Sequence, residues 1–582
     1  MKNITLSYFL LLFTFCISYA QMDINGQTLF GNEWIDYDKT YYKLSVEEDG
    51  VYRVRMSELA SAGMPISNIE GKELQLYYFG ESYPIYVNNT GSLSNSDFIE
   101  FVGQKNRGEL DKQLYREWET MQLNPNYSLF TDQSVYYLTW EDGSDNDMRV
   151  KDIADNVPNG ATFETYYMHE EKISFNNFHH KPTYNGSDRI RYSTFDETEG
   201  FAGTLKRDQD IEFSTSSFFD NAQESASLNL RFGTNDPEGG HSVIISIDGD
   251  DLYTEDFDSY RLFDLTFDLD ANQIENTTEV NIRGNASNSD RYNLAYGSLT
   301  YPRAFDFETS DIISFNVKSN QNTSYYSFEN FGGENIIAFD SKGLNRIQTS
   351  VTGNNIRYAL PSGEERPLYL YNGDAGIKSV GSVQEKTFID YTLVDPSYVI
   401  LTSEKLNNSE GEENIISKYS EYRSSSQGGS YDAYSVNVED LYDQYAYGIV
   451  RTPMSIRNFA HYIESQWSEL KLIYIVGKGI EYSDYRTTEQ QENNNTPEFY
   501  VPSWGVPGSD NLLFSEKGSF VPFKGIGRIA CQNKEELRDY FDKVQVYEDN
   551  DRFAQTLEDL AWKKRVVHLS GGDPAIQNII FS

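Results

Sequence analysis

Residues 501–548 read VPSWGVPGSDNLLFSEKGSFVPFKGIGRIACQNKEELRDYFDKVQVYE, and this stretch decides the fold. A loop carrying Ser509-Asp510-Asn511 leads into an apolar run, 521–529, interrupted by Gly525 and Gly527. Asn533 is then placed to cap a helix, with Glu535 and Glu536 in the first turn against the positive end of the helix dipole and Lys543 near the end. Just upstream, 472–477 (LIYIVG) is an apolar strand that stops at glycine. Strand, loop, strand and helix in this order predict an α/β domain with a parallel sheet, whose sites sit at the carboxyl ends of the strands.

Further upstream the same grammar repeats. The run 398–401 (YVIL) is a short apolar strand, 414–424 a candidate helix, and 434–436 a second strand, followed by Val438-Glu439-Asp440-Leu441-Tyr442. Ser455 is expected to cap a helix carrying Ile456, Phe459, Ala460 and Ile463 at helical spacing. Repeated βα units predict a doubly wound arrangement over 391–582.

The order of these pieces resembles the gingipain-type cysteine peptidases, and within them the PorU-type sortases of the type IX secretion system. The resemblance is carried by Gly448, Ile456-Arg457, Gly477, Val501-Pro502, Ser509-Asp510, Gly525-Ile526-Gly527-Arg528, the helix from Lys534, and Tyr547-Glu548. Pieces at 43–52, 99–103, 114–115 and 127–132 extend it to the N-terminal region of the PorU-type proteins. It implies a caspase/gingipain-like domain and a cysteine-type endopeptidase at the cell surface. Such an enzyme removes C-terminal secretion signals from exported cargo and transfers the cargo to lipopolysaccharide. The implied partners are that cargo, outer-membrane secretion components and lipopolysaccharide.

The chain before this domain reads as β-rich. Residues 41–46 (YYKLSV), a turn at Glu48-Asp49-Gly50, and 51–54 (VYRV) predict a hairpin. Residues 56–62 suggest a short helix ended by Gly63, and 97–103 and 134–140 further strands. Alternation at 228–232 and a hairpin of 243–247 with 252–254 predict a β-sandwich over 161–305. Residues 306–390, with strands at 312–317 and 366–371, read as a small β domain or closing strands of that sandwich. The expected plan is therefore a leader (1–20), a β-rich domain (21–160), the sandwich, the small β unit, and the first half of an α/β domain.

The leader expectation rests on Lys2, an apolar run over 4–17 and the small-x-small site Ser18-Tyr19-Ala20, with a mature start near Gln21. Cys16 lies inside it, and the bulky residues before it do not suit a lipoprotein signal. Cys531 is then the one cysteine of the mature chain, so no internal disulfide framework is expected. The 44 Tyr and 35 Phe suit half-buried strands. With 48 basic against 90 acidic residues the formal charge is −42, which excludes nucleic acid as a partner because phosphate neutralisation needs a basic face. The acidity is read as surface solubility. No complete calcium loop is present; no cofactor is expected, and calcium binding stays open.

Cysteine peptidase chemistry needs a thiolate beside an imidazole. Cys531 with His461 or His568 is the obvious pair, and it is rejected. Cys531 lies between the Gly-Ile-Gly-Arg run and a helix cap, His461 sits mid-helix, and His568 lies on the apolar run 566–569. His179-His180, adjacent on a strand, point to opposite faces; with His169 and His241 they are assigned to structure. Asp248, Asp250 and Asp251 resemble a calcium cluster, but Asp248-Gly249 between strands is first a type I′ turn. The resemblance implies that the catalytic His and Cys follow the segment 562–573, so both are expected beyond Ser582 and this chain is expected to be truncated and inactive. Asp573, after Gly571-Gly572, is a candidate to orient that histidine, against a plain turn role. The alternative function is a non-catalytic surface adhesin or glycan-binding protein whose exposed aromatics stack on sugars. A glycoside hydrolase would need a placed carboxylate pair, and none is evident.

Overall fold

The computed structural model describes residues 22–24, 27–182, 191–236, 239–284, 290–307, 310–353, 355–373, 375–407, 414–490, 498–554 and 556–566. The chain is multidomain: β-sheets first, then an α/β region. No described helix is long and apolar enough to cross a membrane.

Near the N-terminus, Tyr41–Val46 lies in a five-stranded sheet between Val383–Lys386 and Ser134–Trp140, with Leu74–Tyr78 and Glu81–Tyr83 beyond. Gly50–Arg55 pairs instead with Phe98–Gly103, in another sheet. This corrects the expected hairpin: the two strands do not pair with each other, and the acidic turn is a corner between layers. The physical reason lies in their apolar faces: Tyr42, Leu44 and Val46 on one strand and Tyr52 and Val54 on the other are buried in one core between the two sheets. Leu44, Val54, Leu76, Phe101 and Tyr136 share the core between the layers.

The second unit is a sandwich of Asp208–Ser214, Thr277–Gly284, Gly240–Ile247 and Asp250–Asp258 against Leu262–Leu269, Ala226–Thr234, Tyr292–Ala304 and Tyr166–Ser174. Asp208–Ser214 shows the strict alternation of a half-buried strand, with Ile211 and Phe213 inside. Gly240–Ile247 and Asp250–Asp258 form the expected hairpin, although its second strand is longer than 252–254. Asp248 and Gly249 both have positive φ, 48° and 90°, as a type I′ turn requires. Asp251 pairs with Arg283, and among the described residues no group of acidic or histidine side chains could hold a metal.

Residues 306–372 build a further core of their own, with Phe315, Tyr326, Phe328, Tyr358 and Leu368. The chain then returns to the first unit. Ile377–Lys378 pairs beside Gly50–Arg55, and Val383–Lys386 beside Tyr41–Val46. One face of all three units joins into a thirteen-stranded sheet. Its seams are narrow: one residue pair, Met168 with Asn316, and three pairs of Lys151–Ile153 with Asn345–Ile347.

The α/β region has four parallel strands in the order Ala433–Asn437, Tyr398–Thr402, Leu472–Val476, Gly525–Ile529. Tyr398–Thr402 is buried throughout, as a central parallel strand must be. Asn414 caps Ile415–Ser424 by accepting from the Ile416 and Ser417 N–H groups. Ser455 is not a cap. Met454–Gln466 starts one residue earlier, and the Ser455 hydroxyl donates back to the Thr452 carbonyl at 2.8 Å. Asn533 caps Lys534–Phe553 through the Glu536 N–H, and that helix runs ten residues past Lys543.

Candidate functional site

In a sheet of this order the crevice forms at the carboxyl ends, between the Tyr398–Thr402 and Leu472–Val476 strands where the winding reverses. The residues singled out at 477, 501–502, 509–510 and 525–528 meet beside it, and Arg528 is the reason. Its Nε and Nη2 donate to the two carboxylate oxygens of Asp510, both at 2.8 Å. Its Nη1 donates to the Gly477 and Val501 carbonyls at 2.8 and 2.9 Å, and Nη2 also to the Pro502 carbonyl at 2.9 Å. All five N–H groups of the guanidinium thus have acceptors. A lysine cannot reproduce this planar fork. Gly477 has φ 125° and a Cβ there would lie 2.6 Å from that of Tyr500, so only glycine fits the strand end.

The loop held by Arg528 also touches the β region. A Cβ on Gly505 would sit 1.8 Å from the Ser193 carbonyl oxygen, and Phe195 packs edge-on against Trp504 with centroids 5.5 Å apart. Beside it, the Tyr482 hydroxyl donates to Glu199 at 2.6 Å, Lys181 donates to the same carboxylate at 2.6 Å, and His179 Nε2 is 2.9 Å from the Tyr482 oxygen. On the opposite flank, buried Asp443 receives Lys43, Lys386 and the Tyr137 hydroxyl. Burial alone would raise the Asp443 pKa, but the two lysines hold it below the ordinary carboxylate value. The Gly448 position is pressed onto the β region too: a Cβ would meet Val135 at 2.6 Å.

Cys531 is 2% exposed, and burial pushes its thiol up to about 11, so it is protonated at neutral pH. His461 packs near Phe523, and burial with the nearby Arg457 charge lowers it to about 4. Its Nε2 has no hydrogen-bond partner among the described residues. No described imidazole bonds the Cys531 sulfur. Burial lowers His179 to about 3 and His180 to about 4; His180 Nδ1 lies 2.8 Å from the Thr198 carbonyl oxygen. His241 pairs with Asp290 at 2.8 Å, and His169 lies 3.5 Å from Glu171. His568 and Asp573 lie outside the described residues. The site as described is a backbone scaffold at the strand ends with no nucleophile–base pair in it. The central roles of Arg528 and Asp443 went unread in the sequence, although an arginine closing an otherwise apolar strand was a signal for the first.

The model of peptidase family C25 matches residues 391–580. No curated protein matches the chain in sequence. The crystal structure of dimeric latent PorU from Porphyromonas gingivalis is similar at TM-score 0.55 and 12% identity, covering 93% of this chain and 52% of its own. The chain thus spans about half the length of that protein. A CBM36-1 domain of a multidomain xylanase from the hindgut metagenome of Trinervitermes trinervoides gives TM-score 0.15 at 12% identity, covering 23% of this chain and 95% of its own. Residues 391–580 therefore match peptidase family C25, the gingipain family, and the chain shares the fold of about half of PorU.

Proposed function

We propose that the chain is the N-terminal part of a PorU-like cell-surface cysteine endopeptidase of the sortase type. In this reading the whole protein is exported to the outer membrane, cleaves C-terminal signals from type IX cargo and passes the cargo to an amine of surface lipopolysaccharide. A cysteine thiolate attacks the scissile carbonyl, the peptide amine leaves with a proton from histidine, and the acceptor amine displaces the thiol from the thioester. In this reading the nucleophile and base lie outside the described residues. The observation that carries the reading is the Arg528 clamp. It gathers Gly477, Val501, Pro502 and Asp510 at the strand ends within a PorU-like fold.

The glycan-binding alternative needs exposed aromatic platforms. Between residues 27 and 390 the described Tyr, Phe and Trp residues are buried or half-buried, apart from Tyr192. The test uses protein from the complete reading frame, a cargo C-terminal-signal peptide and a soluble primary amine, followed by mass spectrometry. Cleavage with amine adduct formation, blocked by iodoacetamide, is the expected result. An intact peptide under these conditions refutes the reading.

A further inference from the structure

A cavity of about 550 Å³ opens where the β regions meet the α/β loops, beside the Phe195–Trp504 contact. Arg116 and Glu117 line it from the first β unit, Phe195 and Glu197 from the sandwich side, and Arg457, Trp504 and Lys517 from the α/β region. Arg457 is 3% exposed. Its guanidinium lies over the Trp504 ring, 4.8 Å from the centroid, and donates to the Leu512 carbonyl. Its Nε has no hydrogen-bond partner among the described residues, and the side chain makes no ion pair there. The one carboxylate that acts on it, Glu516, is exposed at the cavity rim and does not offset its burial. A buried cation so weakly compensated is costly, and two further cations in the same lining add repulsion. Lys517 is such a neighbour: burial first, then Arg457 and Arg116, lower its pKa. Burial likewise lowers Arg457 to about 10.

We propose that this cavity binds an oxyanion, the carboxylate or phosphate of a small ligand, on Arg457, Arg116 and Lys517. The anion accepts from the free Arg457 Nε–H and relieves the repulsion among the three cations. The acidic residues of the lining are partly engaged. Asp196 faces Lys181 at 3.2 Å, and Glu197 accepts from the Leu262 N–H. Glu516 and Glu117 are left at the exposed rim, which selects a ligand with its own donors beside the anion. The inference does not depend on the peptidase reading.

The test titrates the full chain with inorganic phosphate and, separately, succinate, by calorimetry and tryptophan fluorescence, against sodium chloride at equal ionic strength. Saturable binding is expected, with fluorescence change lost in Trp504→Phe. The double variant Arg116→Ala/Lys517→Ala alters surface side chains, and its folding is checked by its melting temperature. It should weaken binding about tenfold or more, as loss of charge-assisted hydrogen bonds implies. Binding of phosphate alone identifies a phosphate ligand, and of succinate alone a carboxylate; both support the site. Absence of saturable binding by either anion, an equal response to chloride, or binding unchanged in the folded double variant overturns it.

Discussion

Arg528 directs every donor it has at an acceptor: the two carboxylate oxygens of Asp510 and three carbonyls from two segments, Gly477 and Val501-Pro502. Replacing it with lysine leaves a point charge on a flexible stem and frees part-buried carbonyls. Arg528→Lys should therefore cost about 2–4 kcal/mol in urea unfolding, and Asp510→Asn less, since the amide oxygen still accepts. His461 gives a pH prediction. Its folded pKa, about 4, lies below the ordinary value of 6.5, so between those values the unfolded chain binds the extra proton. Stability conferred by neutral His461 is fully present above pH 6.5 and is lost as pH falls toward 4. The unfolding free energy of wild type minus that of His461→Leu should thus fall by up to about 3 kcal/mol over this interval. A difference that stays flat with pH would show that the histidine is not desolvated in the fold.

Among elements, Lys534–Phe553 shows a local signal and a long-range one together. Its start was legible because Asn533 and the acidic first turn are local chemistry, and the cap is present. Asn533→Ala should destabilise the α/β region by about 1 kcal/mol, read from urea midpoints at constant m-value. Its apolar contact was not legible: Phe541 stacks on Tyr419 with ring centroids 3.9 Å apart, across more than a hundred residues of chain. The 41–55 segment shows the opposite outcome. Two alternating runs around a glycine turn favour a hairpin locally, but the apolar faces Tyr42/Leu44/Val46 and Tyr52/Val54 bury against each other across the core, and separate layers achieve that.

For the whole molecule, the β regions and the α/β region share packing. Leu114, Tyr115, Phe130 and Phe195 lie in the same core cluster as Ile400, Leu441 and Ile475. Asp443 adds a buried polar tie with Lys43, Lys386 and Tyr137. Asp443→Ala leaves half-buried Lys43 without its anion, while Lys386 keeps Asp440, and should cost about 2–4 kcal/mol. The expected readout is a split of the urea transition, with the α/β region unfolding first and becoming the earlier target in limited proteolysis. A single transition shifted by less than about 0.5 kcal/mol would show the tie to be dispensable.

Sequence alone determined what depends on neighbours along the chain: the βα order of the C-terminal region, the cap at Asn533, the Asp248-Gly249 turn, and the acidic balance. These follow from periodicity and turn chemistry, which act over a few residues. Tertiary structure decided which strands pair, which sheet takes Val383–Lys386, how Arg528 gathers its acceptors, and that Asp443 answers a lysine four hundred positions away. Those choices are made by burial and charge pairing between distant segments, and no local pattern encodes the partner.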